Sequence, residues 1–220
     1  KKTVGIFAEQ TTYGVPMAEG FRDEILAHGG KVKMYSLLPF GFKNFKEAID
    51  TLDIDDPEEF TGYPETKLDA IYLPFTTMES IGIALSQLQF YNFTGQIVGS
   101  GDWHDANVLN RFIDMLDGAI YAIDSYVSSD DTRVYYTLDT YYNFWQSRPS
   151  TLFWHGSDAI DYLVETLVNK GISSPDDIPE VFRSAPPYKA VRTEIFFDGG
   201  NINQRMNIMQ FSDGNISKLK

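Results

Sequence analysis

The first 40 residues alternate between strand-like and helix-like segments, and this alternation constrains the fold more than any other feature of the sequence. Residues 3–8 are mostly apolar and have the length of a buried strand. Residues 16–28 begin with proline and are followed by Gly29-Gly30, which is typical of a helix with its start and stop signals. Residues 31–37 again have the composition of a strand. This order predicts a βαβ unit, whose two strands are parallel.

The same alternation continues along the first two thirds of the chain. Further strands are predicted at 69–75, 96–99 and 118–123. Further helices are predicted at 44–52, 78–91, 106–116 and 131–146. Strands that alternate with helices indicate a mostly parallel sheet. We therefore predict an α/β fold of three layers, in which helices flank the sheet.

The pattern changes after residue 149. Helices are predicted at 155–169 and 176–184, and they are followed by strands at 193–197, 205–210 and 216–219. The sequences DGGN and SDGN separate these last strands, and both are strong turn signals. The tail is therefore expected to form an antiparallel meander after the parallel part of the fold.

The composition excludes several classes of partner and site. With 18 Lys and Arg against 31 Asp and Glu, the net charge of −13 repels nucleic acid and anionic membrane surfaces. No apolar run is long enough to cross a membrane, so direct membrane insertion of this chain is not expected. The absence of cysteine excludes disulfides, thiolate catalysis and thiolate metal sites.

The sequence also lacks the motifs of common enzymes and of nucleotide-binding sites. No G-x-S-x-G or phosphate-binding loop is present, and the first strand is followed by FAEQTTYG, which contains no G-x-G-x-x-G. His28, His104 and His155 do not have metal-ligand spacing. The acidic run DIDDPEEF has Glu58 where a calcium loop requires glycine. We therefore expect no catalytic residue, metal or cofactor, and no enzymatic activity.

Polar and aromatic residues follow three of the predicted strands. They are Tyr13, Thr76, Thr77, Asp102 and Trp103. Because the carboxyl ends of parallel strands share one edge, these residues are expected to line one cleft, where a small polar ligand could bind. Each has a structural alternative: Tyr13 could cover a helix end, either threonine could cap a helix, and Trp103 could lie in the core.

Three stretches resemble the type I periplasmic substrate-binding proteins, and among them the leucine/isoleucine/valine-binding group. They are VGIFAEQTTYGVPMAEGFRDEILAHGGKV, LDAIYLPFTTMESIGIALSQLQFYNFTGQIVGSGDW and FFDGGNINQRMNIMQFSDGNISKL. The resemblance implies two α/β lobes, joined by crossovers, that close on an amino acid or a related carboxylate. It also implies a periplasmic or extracytoplasmic location, a signal or lipoprotein segment upstream, and a role in ABC-type uptake or sensing with a membrane permease.

The resemblance also assigns parts of the chain to the two lobes. Residues 1–150 would form the second lobe, 151–190 the returning part of the first lobe, and 191–220 the final crossover and C-terminal strands. A complete family member begins with a first-lobe segment that has no counterpart here, and crossovers would lie near 149–154 and 188–194. The resemblance places Tyr13, Thr76 and Asp102 on the second lobe's face of the cleft. Asp102, or Gly101 in an alignment shifted by one residue, would receive the ligand's ammonium group.

The sequence is also compatible with a second function. The stretch ETKLDAIYLPFTTMESIGIALSQLQFYNFTGQIVGSGDW also resembles lipoprotein activators of peptidoglycan synthases, which use this fold as an interaction module. The partner would then be an envelope protein. Exposure of several aromatic side chains in the helix at 131–146 would favour this alternative, because exposed aromatic patches often mark protein interfaces.

Overall fold

The computed structural model describes residues 3–44, 68–90, 93–105, 109–170, 172 and 174–219. The chain divides into two compact units. Unit 1 consists of Lys1–Ala122 with Ile208–Lys220, and unit 2 consists of Ile123–Asn207. The acidic run at 53–60, and all of the helix predicted at 44–52 except Asn44, lie outside the described residues.

Nine strands and six α-helices occur in the described ranges. The strands are β1 (Thr3–Glu9), β2 (Lys31–Leu38), β3 (Ala70–Leu73), β4 (Gln96–Gly99), β5 (Ala119–Ile123), β6 (Tyr188–Lys189), β7 (Glu194–Ile195), β8 (Asn207–Ser212) and β9 (Asn215–Lys218). The α-helices are α1 (Gly14–Ala27), α2 (Met78–Phe90), α3 (Ile113–Leu116), α4 (Thr132–Trp145), α5 (Thr151–Lys170) and α6 (Ile178–Ser184). Three 3₁₀ turns lie at Gly101–Trp103, Asn110–Phe112 and Pro175–Asp177.

A seven-stranded sheet with the order β2-β1-β3-β4-β5-β8-β9 forms the centre of unit 1. Every pair from β2 to β5 is parallel, and β8 pairs with β9 in the antiparallel sense. Six of the seven residues of β1 are buried, as expected for a central strand covered on both faces. The predicted α/β fold, a mostly parallel sheet with flanking helices and an antiparallel C-terminal excursion, is confirmed.

Helix α1 covers one face of this sheet. Its apolar side chains pack against Val4 and Ile6 of β1 and against Tyr72 of β3. The ring of Phe21 stacks on the ring of Tyr72 with 4.1 Å between their centroids. The helix thus buries a contiguous apolar face on the two central strands, which is the main source of its stability.

The C-terminal hairpin follows from its turn sequence. Asp213 and Gly214 both have positive φ angles, of 50° and 74°, as a two-residue turn between antiparallel strands requires. The Asp117 carboxylate accepts hydrogen bonds from the Asp213 amide and the Ser212 hydroxyl, each 2.9 Å long. These bonds lower the pKa of Asp117. They also anchor the turn to the residues that precede β5.

The prediction of a three-stranded antiparallel meander at the C-terminus is wrong for its first strand. β7 forms a separate two-stranded sheet with β6 instead of joining β8. The side chain of Asn203 explains why the strand stops, because its Oδ1 accepts from the Phe196 amide (2.9 Å) and its Nδ2 donates to the Glu194 carbonyl (3.0 Å). Because the Asn203 side chain bonds these backbone groups, they do not require a neighbouring strand as their hydrogen-bond partner.

Three predicted helices differ from the structure at their starts, by more than two residues or in the type of helix. The helix predicted at 155–169 begins at Thr151, where the Ser150 hydroxyl accepts from the Phe153 amide (3.3 Å). The helix predicted at 176–184 is a 3₁₀ turn followed by α6, and Pro179, which has no amide hydrogen, lies in the first turn of α6. The described part of the helix predicted at 106–116 is a 3₁₀ turn followed by the short α3.

Unit 2 is built on α5, α6 and the β6–β7 pair. Tyr162 of α5 lies at the centre of its core and contacts the rings of Phe182, Tyr188 and Phe197, with centroids 5.2 to 6.0 Å apart. The described strands of this unit outside the large sheet have only two residues each. Within the described residues of the whole chain, no helix has both the length and the apolar character needed to span a membrane.

Gly14 and Gly20 in α1 provide a test of the packing at the end of β1. A Cβ at Gly14 would lie 2.2 Å from the backbone oxygen of Glu9, whereas a Cβ at Gly20 would meet open space. We expect Gly14→Ala to lower the free energy of unfolding by about 1–3 kcal/mol through this clash. Gly20→Ala is expected to raise it by about 0.5–1 kcal/mol, because alanine is the better helix former. Urea unfolding measures both, and equal stabilities of the two variants would contradict the described contact.

Candidate functional site

The carboxyl ends of β1, β3 and β4 lie side by side at one edge of the sheet in unit 1. Ile6 pairs with Tyr72, and Leu73 pairs with Gly99, so the loops that follow the three strands leave the sheet next to one another. We call this region the carboxyl edge. It is where open α/β sheets commonly bind ligands.

Tyr13 and Asp102 come together at the carboxyl edge. The Tyr13 hydroxyl lies close enough to the side chains of Ser100 and Asp102 for both to shift its pKa. Burial raises the pKa of Tyr13, the hydrogen bond with Ser100 opposes this rise, and the Asp102 carboxylate adds to it. Tyr13 is 37% exposed and Asp102 is exposed, so both remain accessible to a ligand.

The two threonines have different environments. The Thr77 hydroxyl accepts from the Ser80 amide (3.2 Å) and donates to the Ser80 hydroxyl (2.8 Å), so it caps the N-terminus of α2. This is the structural alternative that the sequence left open. Thr76 is exposed in the same loop. Of the two, Thr76 is therefore the hydroxyl that can face solvent or a ligand.

Trp103 lies in the core, fully buried beneath the loop that carries Asp102. A Cβ at Gly99 would lie 2.4 Å from the indole ring, so the ring packs directly on the strand end. Its Nε1 has no hydrogen-bond partner among the described residues. In this structure Trp103 supports the loop from below, which is again the structural alternative.

His104 follows the same loop without contributing a positive charge. Its Nδ1 lies 2.9 Å from the Tyr121 hydroxyl. Partial burial lowers the pKa of His104, and the nearby Asp105 carboxylate opposes this shift. The lowered pKa favours the neutral form of the imidazole. No group of three or more potential metal ligands occurs in the described part of the chain.

Glu9 is a polar residue of the carboxyl edge that the sequence analysis did not single out. It ends β1 and is only 2% exposed. Its Oε1 accepts from the Ser80 hydroxyl (2.7 Å) and from the Gly41 amide (3.2 Å). A carboxylate beside the first turn of α2 is also stabilised by the helix dipole. The signal in the sequence was an acidic residue directly after an apolar run.

The accessible groups of the carboxyl edge have the chemistry needed to bind a polar ligand. Asp102 offers a carboxylate, Tyr13 a phenol and Thr76 a hydroxyl. A carboxylate accepts strong hydrogen bonds from an ammonium group, and the hydroxyls can donate to or accept from a polar ligand. Glu9, Ser80 and Thr77 form a set of hydrogen bonds that holds the start of α2 behind them.

Comparison with known proteins gives a fold but no close relative. The sequence matches no protein-family model and no curated protein. Solved structures do match, among them a protein from Rhodospirillum rubrum provisionally assigned as a branched-chain amino acid ABC transporter, with 19% identity and a TM-score of 0.75. This match covers 99% of the present chain and 60% of the other.

Two further structures are similar. The leucine-binding protein LivK from Thermotoga maritima has 17% identity and a TM-score of 0.63, with 100% of this chain and 60% of that chain covered. An ABC transporter substrate-binding protein from Desulfitobacterium hafniense, in complex with leucine, has 17% identity and a TM-score of 0.62, with 99% and 60% covered. The chain therefore has the fold of the type I periplasmic binding proteins and spans about 60% of the length of these relatives.

The contact between Tyr13 and Asp102 can be tested by titration. We expect Asp102→Asn to lower the pKa of Tyr13, because the negative charge that disfavours the phenolate is removed. The pKa should stay above its ordinary value, since burial remains. NMR of tyrosine labelled at Cζ measures the shift, with Tyr13→Phe assigning the signal and Asp114→Asn as a control on α3. An unchanged pKa in Asp102→Asn would show that the two side chains do not interact.

Proposed function

We propose that this chain is part of an extracytoplasmic solute-binding protein or receptor domain that binds a small polar ligand and catalyses no reaction. The observation that supports it is the meeting of Tyr13 and Asp102 at the carboxyl edge of a sheet with this fold. An amino acid or a related carboxylate is the ligand class that suits these groups. The similar structures include proteins named for amino-acid transport and leucine binding, which favours the same class.

Each site residue has a distinct part in this proposal. The Asp102 carboxylate receives the ligand's ammonium group, or the backbone of Gly101 takes this place. The Tyr13 hydroxyl and the exposed Thr76 hydroxyl bond the ligand's remaining polar atoms. Thr77 and Trp103 act through the loops that they hold, by capping α2 and by packing beneath Asp102. The opposite wall of the cleft belongs to the other lobe.

The cellular role follows from the same proposal. A binding protein of this kind delivers its ligand to a membrane permease of the ABC type or reports its presence as a sensor. The protein is then periplasmic or otherwise extracytoplasmic, with a signal or lipoprotein segment upstream. These assignments rest on the fold that it shares with periplasmic binding proteins.

We also propose that residues 1–150 belong to the second lobe of a two-lobed protein, 151–190 to the first lobe and 191–220 to the final crossover and C-terminal strands. The packing of α5 supports an incomplete first lobe. One side of this helix carries Tyr162 into the core of unit 2, whereas Leu163 and Val164 are 40% and 51% exposed. Leu152, Ile160 and Val168, also on α5, are more exposed still. We expect further first-lobe residues to cover this apolar surface.

The alternative function, an envelope interaction module, is favoured by α4. Five aromatic side chains of this helix are each more than half exposed: Tyr135, Tyr136, Tyr142, Phe144 and Trp145. Helical spacing places Tyr135, Tyr142 and Trp145 on one face, and exposed aromatic patches often mark protein interfaces. In this case an envelope protein such as a peptidoglycan synthase would be the partner, and the carboxyl edge need not bind a metabolite.

Ligand binding is tested on the complete protein by a thermal-shift screen of amino acids, small carboxylates and peptidoglycan fragments. A ligand at one hundred times its dissociation constant should stabilise the native state by about 2.7 kcal/mol. Calorimetry should then show that Asp102→Ala weakens binding by about 1.5–3 kcal/mol, because a hydrogen bond to a charged group is lost. Tyr13→Phe should weaken it by less, and the control Asp114→Ala on α3 should bind like the parent.

The outcomes separate the two functions. If a metabolite binds and both site variants bind as tightly as the parent, the function stands and the site assignment is wrong. If no metabolite binds and a cell-wall synthase binds with high affinity, the interaction module is the correct function. Variants of Tyr142 and Trp145 should then reduce that affinity.

The lobe assignment is tested by hydrogen exchange on the 220-residue chain and on the complete protein. In the shorter chain we expect the amides of α5 to exchange faster than those of β1 and β3. The reason is that each exposed large apolar side chain forgoes about 1.5–3 kcal/mol of burial. The complete protein should protect α5. Equal protection of α5 and β1 in the shorter chain would contradict the proposed assignment of residues 151–190.

A further inference from the structure

Side chains bond to four backbone polar groups of the segment Lys189–Arg192 in unit 2, which we call the junction loop. Arg133 donates from Nη1 to the Lys189 carbonyl (2.9 Å) and from Nη2 to the Ala190 carbonyl (3.2 Å). The Asp158 carboxylate accepts from the Val191 amide (2.8 Å) and the Arg192 amide (3.0 Å). Beyond Lys189, which ends β6, the loop is therefore fixed without being part of a strand.

Asp158 is the most buried charged residue of this arrangement, with 1% of its side chain exposed. Its Oδ2 also forms an ion pair with Nε of Arg192, 2.9 Å away, and the Arg192 side chain is only 11% exposed. Two amides and a guanidinium thus satisfy the carboxylate. A buried charge that is fully bonded fixes geometry strongly, because loss of any partner leaves an unpaired charge in the interior.

The carbonyl of Arg192 connects the junction loop to both ends of unit 2. It accepts from the Tyr126 amide (3.1 Å) and from Nδ2 of Asn207 (2.9 Å). Unit 2 begins at Ile123 and ends at Asn207, so these two residues lie at or within three positions of the points where the chain passes between the units. One carbonyl therefore bonds to both of the segments that join unit 2 to unit 1.

We propose that Asp158 is a positioning residue that fixes both connecting segments to unit 2. Its carboxylate sets the position of Arg192, and the Arg192 carbonyl sets the positions of Tyr126 and Asn207. The regions first expected to be crossovers, near 149–154 and 188–194, lie inside unit 2, and the second contains the junction loop.

The test is residue-resolved hydrogen exchange on Asp158→Asn, with Asp161→Asn as the matched control. Asp161 is an exposed carboxylate on the same helix, three residues further along. In Asp158→Asn we expect the amides of Val191 and Arg192 to exchange about tenfold faster or more, since their acceptor is weakened. The amide of Tyr126 should accelerate by a similar factor, although it does not bond to Asp158. The control should leave all three unchanged.

The Tyr126 amide decides the outcome. If Val191 and Arg192 accelerate and Tyr126 does not, Asp158 acts only on its direct partners and the proposal is wrong. The comparison uses conditions in which the Ile6 amide of unit 1 and the Tyr162 amide of unit 2 each exchange equally in all variants, so that unfolding of either unit does not contribute. If Asp158→Asn does not fold, Asp158→Glu, which keeps the charge and displaces it, takes its place with the same readout.

A second variant separates the backbone from the side chain of Arg192. Arg192→Lys keeps a positive charge and the two amide bonds to Asp158, so Tyr126 should stay protected as in the parent. If Tyr126 exchanges as fast in Arg192→Lys as in Asp158→Asn, the guanidinium and not the bonded backbone controls the connecting segments. That result would overturn the proposal.

Discussion

The parallel pairing of β1 with β3, and of β3 with β4, is the constraint on which the candidate site depends. Parallel strands leave their carboxyl ends at one edge, so residues separated by about 90 positions in the sequence, such as Tyr13 and Asp102, meet there. The pairing is held by apolar side chains on both faces of β1, with Val4 and Ile6 packed against α1. Loss of this core would separate the loops and with them Tyr13 and Asp102.

The fold and part of the site could be predicted from the sequence because they follow from order along the chain. Alternating strands and helices indicate a parallel sheet, and a parallel sheet brings the loops after its strands together. This argument needs no knowledge of any side-chain contact. It was sufficient to bring Tyr13 near Asp102, and the SDGN turn was sufficient to predict the β8–β9 hairpin.

The remaining features depend on particular side-chain contacts, which the order of strands and helices does not indicate. Glu9 is bonded to Ser80, 71 residues away, and nothing near Glu9 in the sequence indicates this partner. The strand predicted at 193–197 is shorter in the structure because the Asn203 side chain bonds part of its backbone. Strand propensity does not predict such a contact. From the sequence, Trp103 could lie either in the cleft or in the core. Only its packing on Gly99 distinguishes these two positions.

Among the described strands, β2 and β9 lie at the two ends of the sheet. Both carry exposed lysines, Lys31 and Lys33 on β2 and Lys218 on β9, in a chain with 31 acidic and only 18 basic residues. A charged side chain on an outer strand must be desolvated when another strand adds to it, which disfavours pairing between copies of the protein. These three lysines therefore disfavour aggregation through the outer strands of the sheet.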